Sequence, residues 1–151
     1  MIMKYKIKDL PQKKVKTNEK TVMLENFLLA NDNTKIKVVK ESSFNPSFDI
    51  SYRLEIYEDN TLNVKKEIST ETFMELCRKC NKNCLTKIIY NTEINNRNVE
   101  INIFKDKKGN ILKKIAKTEN KKLNNKDWIE KGVSAQELEN DFDVWKQMSY
   151  N

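Results

Sequence analysis

Short segments of alternating apolar and polar residues recur along the chain, separated by Asn, Asp, Gly and Pro. That period of two marks half-buried β-strands. The candidate strands run from Ile2 to Lys8, Thr21 to Ala30, Lys35 to Val39, Asp49 to Tyr57, Thr61 to Ile68, Leu85 to Thr92, Asn98 to Lys105 and Ile111 to Lys117. Glu58-Asp59-Asn60 and Asp106-Lys107-Lys108-Gly109-Asn110 carry residues that tolerate positive φ, so each predicts a tight hairpin between antiparallel neighbours. The polar stretches Lys13 to Lys20 and Glu41 to Ser47 read as loops.

Helical spacing replaces alternation in two places. Ser69-Thr70-Glu71-Thr72 supplies an N-cap and an acidic first turn, and Phe73, Leu76, Cys77 and Cys80 then share one helix face. After the last strand, Asn124 or Asn125 precedes a short helix over Lys126 to Lys131. Ser134 then caps a longer one from Ala135 to Met148, with Leu138, Phe142 and Trp145 on one side. Trp128 and Trp145 read as packing anchors rather than as base-stacking platforms. The expected fold is α+β and mainly β: eight antiparallel strands, a mid-chain helix and two C-terminal helices in one domain over residues 1–151.

Composition narrows the chemistry. With 29 Lys and Arg against 22 Asp and Glu, the net charge of +7 favours anionic partners without choosing among polymers, membranes and small molecules. Lys, Asn and Ile are used so heavily that the lysine count alone carries little weight, and position has to decide. No apolar run is long enough to span a bilayer and no signal-peptide core opens the chain, so a cytoplasmic domain without membrane contact is expected. Histidine is absent, which removes Ser-His and Cys-His nucleophile pairs and imidazole metal ligands. Cys77, Cys80 and Cys84 lack the fourth ligand of a structural zinc site and read as free thiols.

Several features, in order, resemble the CYTH superfamily, the triphosphate-tunnel fold of thiamine triphosphatases and class IV adenylate cyclases. Ile2 to Pro11 is similar to the family's opening Glu-x-Glu-x-Lys strand and the turn after it, with Lys4 at the lysine and Ile2 at a glutamate. Leu24 to Leu29 resembles the second strand, and Lys35-Ile36-Lys37 stands where an Arg-x-Arg pair is usual. Lys87-Ile88-Ile89-Tyr90 resembles Lys-x-Arg-Tyr. Val99 to Phe104 resembles Glu-Ile-Asp-x-Phe, with Glu100 kept and Asn102 in place of aspartate. Lys113-Lys114-Ile115-Ala116 falls where the family has Ala-Glu-Ile-Glu, and Trp128-Ile129 with Val133-Ser134 resembles the family's C-terminal end.

The resemblance implies a closed or nearly closed eight-stranded barrel around a ligand cavity. Strand parity then places Lys35 with Lys37, Arg53 with Glu55 and Tyr57, Asn63 with Lys65 and Glu67, and Glu100 with Asn102. Lys4, Lys35, Lys37, Arg53, Lys65, Lys87 and Lys114 become candidate phosphate-binding residues, and Glu55, Tyr57, Asn63, Glu67, Glu100 and Asn102 further cavity residues. Charged alternate positions also fit a solvated sheet face, and the family pattern is what turns them inward. The family's acidic positions hold Ile2, Asn102, Lys114 and Ala116, so no catalytic residue, no metal ligand and no cofactor is expected; Mg2+ or Mn2+ enters only if some enzyme activity survives. The expected function is capture of a small phosphorylated ligand, such as a nucleotide, a cyclic nucleotide signal or polyphosphate. The alternatives are a divergent metal-dependent triphosphatase or cyclase and, behind these, a basic RNA- or DNA-binding module.

Overall fold

The computed structural model describes residues 2–7, 20–29, 31–44, 47–80, 84–94, 97–119 and 141–149. Its strands are β1 (Ile2–Lys6), β2 (Lys20–Leu29), β3 (Thr34–Phe44), β4 (Phe48–Glu58), β5 (Thr61–Glu67), β6 (Leu85–Ile94), β7 (Arg97–Lys105) and β8 (Ile111–Glu119). The described helices are α1 (Thr70–Lys79) and α2 (Asp141–Ser149). Each of the eight expected strands has a counterpart. The helix over Lys126 to Lys131, residues 135–140 of the last predicted helix, Leu138 and both tryptophan-end motif residues Trp128 and Val133 lie outside the described residues, as do residues 13–19.

The turn chemistry is as the residues demand. Asp59 and Asn60 both take positive φ, 49° and 65°, in the two-residue turn joining β4 to β5. Gly109, at φ 90°, closes the β7–β8 turn, where Asp106 Oδ1 accepts the backbone N–H groups of Lys108 and Asn110. The predicted loop from Glu41 to Ser47 is a correction. β3 continues to Phe44, with Ser42 and Ser43 opposite Ile50 and Asp49 of β4. Polar residues misled there because the face that Glu41 occupies is itself charged, and its half-buried carboxylate meets Arg53.

All pairings are antiparallel, and one sheet runs β1-β8-β7-β6-β2-β3-β4-β5. Two meanders, β2 to β5 and β6 to β8, join where β2 pairs with β6, and β1 is added beside β8. β5 lies at one edge and β6 near the middle, so the connection between them crosses the sheet. α1 is that crossover. Ser69 caps it by accepting the Thr72 N–H at 3.1 Å, and its half-buried side, Phe73, Leu76, Cys77 and Cys80, turns inward, with Phe73 stacking on Tyr52 at 4.7 Å.

β1 and β5 do not pair, so the sheet is open and the closed barrel is not formed. Every residue of β5 is exposed, and its Lys65, Lys66 and Glu67 make a charged, solvated edge of the kind that resists further pairing. The sheet is nonetheless curved. Register breaks between Ile56 and Tyr57 and between Phe104 and Lys105 add local twist, and side chains from β1 and β4, first and seventh in strand order, line one cavity.

Alternation gives the two faces different roles. On one face, Ile7, Ile88, Tyr90, Val99, Ile101, Ile103 and Ala116 form an apolar cluster. On the other, Phe27, Leu85, Phe104 and Ile115 receive Val144 and Trp145 of α2. The Phe27 ring lies 5.0 Å from Trp145 and 5.9 Å from Phe142, so Trp145 is a packing anchor. Beside this anchor the second face becomes polar, and there the cavity opens.

Candidate functional site

The cavity has a volume of about 450 Å³, within the size range of small-molecule sites. Six basic side chains reach it from five strands: Lys4 from β1, Lys35 and Lys37 from β3, Arg53 from β4, Lys87 from β6 and Lys117 from β8. Glu41, Glu55, Glu100 and Asp141 supply carboxylates, and Met23, Phe27, Ile89, Phe104, Ile115 and Phe142 form apolar wall. Strand parity explains the convergence. Register sets Phe27, Lys37 and Glu55 side by side across β2, β3 and β4, and Val39 next to Arg53 one step along.

Lys37 is the hub of the β3–β4 side. Its Nζ lies 3.4 Å from Glu25 Oε1, 3.5 Å from Glu55 Oε1 and 3.5 Å from Asp141 Oδ2. Burial alone would depress the lysine, but these three carboxylates outweigh it and raise its proton affinity. Arg53 binds Glu41 at 3.0 Å and also Glu55, whose Oε1 accepts the Tyr57 hydroxyl. Burial opposes ionisation of Glu55, yet Lys37, Arg53 and Tyr57 together hold it below the usual carboxylate range. Tyr57 is pushed up to about 12, first by burial and then by its bond to that carboxylate.

Asp141, the first residue of α2, ties this hub to Lys87, whose Nζ donates to its two oxygens at 3.3 and 3.1 Å. Burial opposes its charge, but Lys87, the neighbouring Glu25 carboxyl and Lys37 hold Asp141 well below the usual range. Glu25 is the counterexample. It is fully buried, its Oε2 has no hydrogen-bond partner among the described residues, and burial plus the Asp141 carboxylate push it up to about 8. Burial thus favours the neutral acid at Glu25, while the neighbouring lysines favour the charge on Asp141.

The β1–β8 side is arranged differently. Lys4 and Lys117 face each other across β1 and β8, and Lys117 Nζ lies 3.8 Å from Glu100 Oε2. Among the described residues Lys4 has no carboxylate partner. Burial, then the proximity of Lys87, lowers the proton affinity of Lys117. Lys35 is held at the rim by Asn60 and lies 4.0 Å from the Phe142 ring centre.

Of the residues expected at the site, Lys4, Lys35, Lys37, Arg53, Lys87, Glu55, Tyr57 and Glu100 line the cavity. Asn102 lies buried just behind it, donating from Nδ2 to Glu100 Oε2 at 3.1 Å. Asn63, Lys65 and Glu67 do not line it: they are exposed on the β5 edge, although register sets Lys65 beside Glu55 and Glu67 beside Arg53. Lys114 is on the opposite face, paired with Ile103, and Lys117 takes the position facing Glu100. The cause is the register break at Phe104/Lys105. Counting back from the Lys105–Ile111 pair without it would set Asn102 beside Lys114, whereas Asn102 meets Ile115.

Glu25, Glu41, Lys117, Asp141 and Phe142 were not anticipated. Glu25 and Glu41 occupy alternate positions that strand parity aligns with Phe27 and Lys37, so a count across the β2–β3 hairpin finds them; nothing in the sequence places α2 over the sheet. Among the described residues no group of three or more His, Cys, Asp or Glu side chains is placed to hold a metal ion. Comparison with protein-family profiles, with curated proteins and with solved structures returned no match. No described helix is long and apolar enough to cross a membrane.

Proposed function

We propose that the cavity captures a small phosphate-bearing ligand and that the chain is a divergent relative of the triphosphate-tunnel proteins acting by sequestration in the cytoplasm. The observation that carries this reading is the convergence of six basic side chains from five strands on one cavity, with Lys4, Lys35 and Lys117 less neutralised than Lys37, Arg53 and Lys87 among the described residues. Lysines and an arginine brought together out of bulk water repel one another, and a multiply charged anion relieves that repulsion. The apolar wall of Met23, Ile89 and Ile115 favours a ligand with an uncharged part beside its phosphates.

Titration calorimetry with inorganic triphosphate and with nucleoside triphosphates, each with magnesium and with EDTA, tests the proposal. Capture predicts binding that survives EDTA and that Lys4→Ala with Lys117→Ala weakens about tenfold, the loss of roughly one charge-assisted contact. Binding that is absent, or unaffected by that pair, defeats the assignment.

A metal-dependent phosphohydrolase or cyclase is the second reading, favoured by the carboxylates Glu41, Glu55, Glu100 and Asp141 in the cavity. Each of them lies against Lys37, Arg53, Lys87 or Lys117, which competes with metal for its oxygens. EDTA-sensitive turnover of triphosphate selects this reading over capture.

A further inference from the structure

Asp141 stands out among the acids of the cavity because it comes from a helix and not from the sheet. It places one carboxylate between two lysines of different strands, 3.1 Å from Lys87 Nζ and 3.5 Å from Lys37 Nζ, with its side chain only 16% exposed. Two ammonium groups converging on one anionic group are what a bound phosphate oxygen requires. Glu25 lies 3.4 Å from Lys37 Nζ, but burial and the Asp141 carboxylate favour its neutral form, so Asp141 and Glu55 are the main counter-charges of the pair.

We propose that the Lys37–Lys87 pair is an anion subsite whose occupant in the free chain is Asp141, so that α2 is a displaceable plug and ligand binding exchanges the chain's own carboxylate for a phosphate. The inference rests on the capture reading and adds its regulation. While Asp141 is docked, the subsite is balanced and an incoming anion meets Lys4, Lys117 and the rim Lys35 instead. Once α2 lifts, the pair loses its Asp141 counter-charge and is open to the ligand. Among the described residues α2 is held by Val144 and Trp145 packed on Phe27, Leu85, Phe104 and Ile115, with Phe142 beside them, and by the ion pairs of Asp141, so the motion exposes that apolar contact. A ligand that binds only the lifted state pays for the docked population in reduced apparent affinity.

Calorimetry with inorganic triphosphate compares the wild type, Asp141→Asn and Val144→Ala, the last loosening α2 without touching a lysine. Emission of Trp145 is followed in a Trp128→Phe background, which leaves it the sole tryptophan. Both variants are expected to bind on the order of tenfold tighter than wild type, and saturating triphosphate is expected to shift Trp145 emission to the red as it leaves Phe27. Equal or weaker binding by the variants, or unchanged emission at saturation, overturns the plug while leaving capture standing. No binding by wild type or variants removes the capture reading, and the plug falls with it. Should Asp141→Asn fail to melt cooperatively, Val144→Ala and the emission measurement decide alone.

Discussion

The two sides of the cavity solve the same electrostatic problem in opposite ways. On the β3–β4 side, Lys37 and Arg53 are enclosed by Glu25, Glu41, Glu55 and Asp141, so each charge has a partner on a neighbouring strand or helix. On the β1–β8 side, Lys117 meets one glutamate at 3.8 Å, Lys4 has no carboxylate partner among the described residues, and Lys117 is the group whose proton affinity falls. The contrast separates charges that are paired within the fold from charges that are only partly compensated. Buried ion pairs add little net stability while intact and are costly to break on one side, whereas under-compensated ions at a rim weaken the fold slightly and attract counter-charge.

The largest effect that separates the two sides is expected from Lys37→Met. Removing the shared cation leaves Glu55 and Asp141 buried without it, at a cost of about 3–5 kcal/mol by urea denaturation. A loss no larger than that of Lys4→Met would mean that the two sides do not differ.

An intermediate effect is expected from pH. Glu25 has its folded value raised from an ordinary 4.5 to about 8, so the folded chain keeps a proton that the unfolded chain releases. Stability therefore falls as pH rises between those values and levels off above them, with a slope of at most about 1.4 kcal/mol per pH unit. Asp141, shifted the other way, contributes stability above its ordinary range that is lost only in strong acid. Glu25→Gln should flatten the decline between pH 6 and 8 in thermal melts; a slope that persists places its origin elsewhere.

The smallest effect belongs to the β1–β8 side. Because folding lowers the proton affinity of Lys117, its charge opposes folding at neutral pH, and Lys117→Met should stabilise the ligand-free chain by no more than about 1 kcal/mol. Added triphosphate should reverse the sign, stabilising the wild type more than the variant. A variant that is less stable without ligand would show that Lys117 is compensated after all.

Much of the fold was legible because strand sequence carries a period of two and turns carry their own residues. All eight strands, both hairpin turns and the Ser69 cap follow from these local signals, as does the pairing of Lys35 with Lys37 and of Arg53 with Glu55 and Tyr57. Glu41 failed because the alternation rule assumes an apolar interior, and this interior is charged. Lys114 failed because one register break reverses the parity of β8, and a break is set by the twist of the whole sheet.

The sequence by itself determined which side chains share a strand face, since alternation is a property of the extended backbone. Only the tertiary structure decided whether the sheet closes, which face of β8 joins Glu100, and that Asp141, 54 positions from Lys87 and 104 from Lys37, completes their site. Contacts of that span depend on curvature and on where a helix docks. No local pattern encodes either, because both arise from packing across the whole sheet at once.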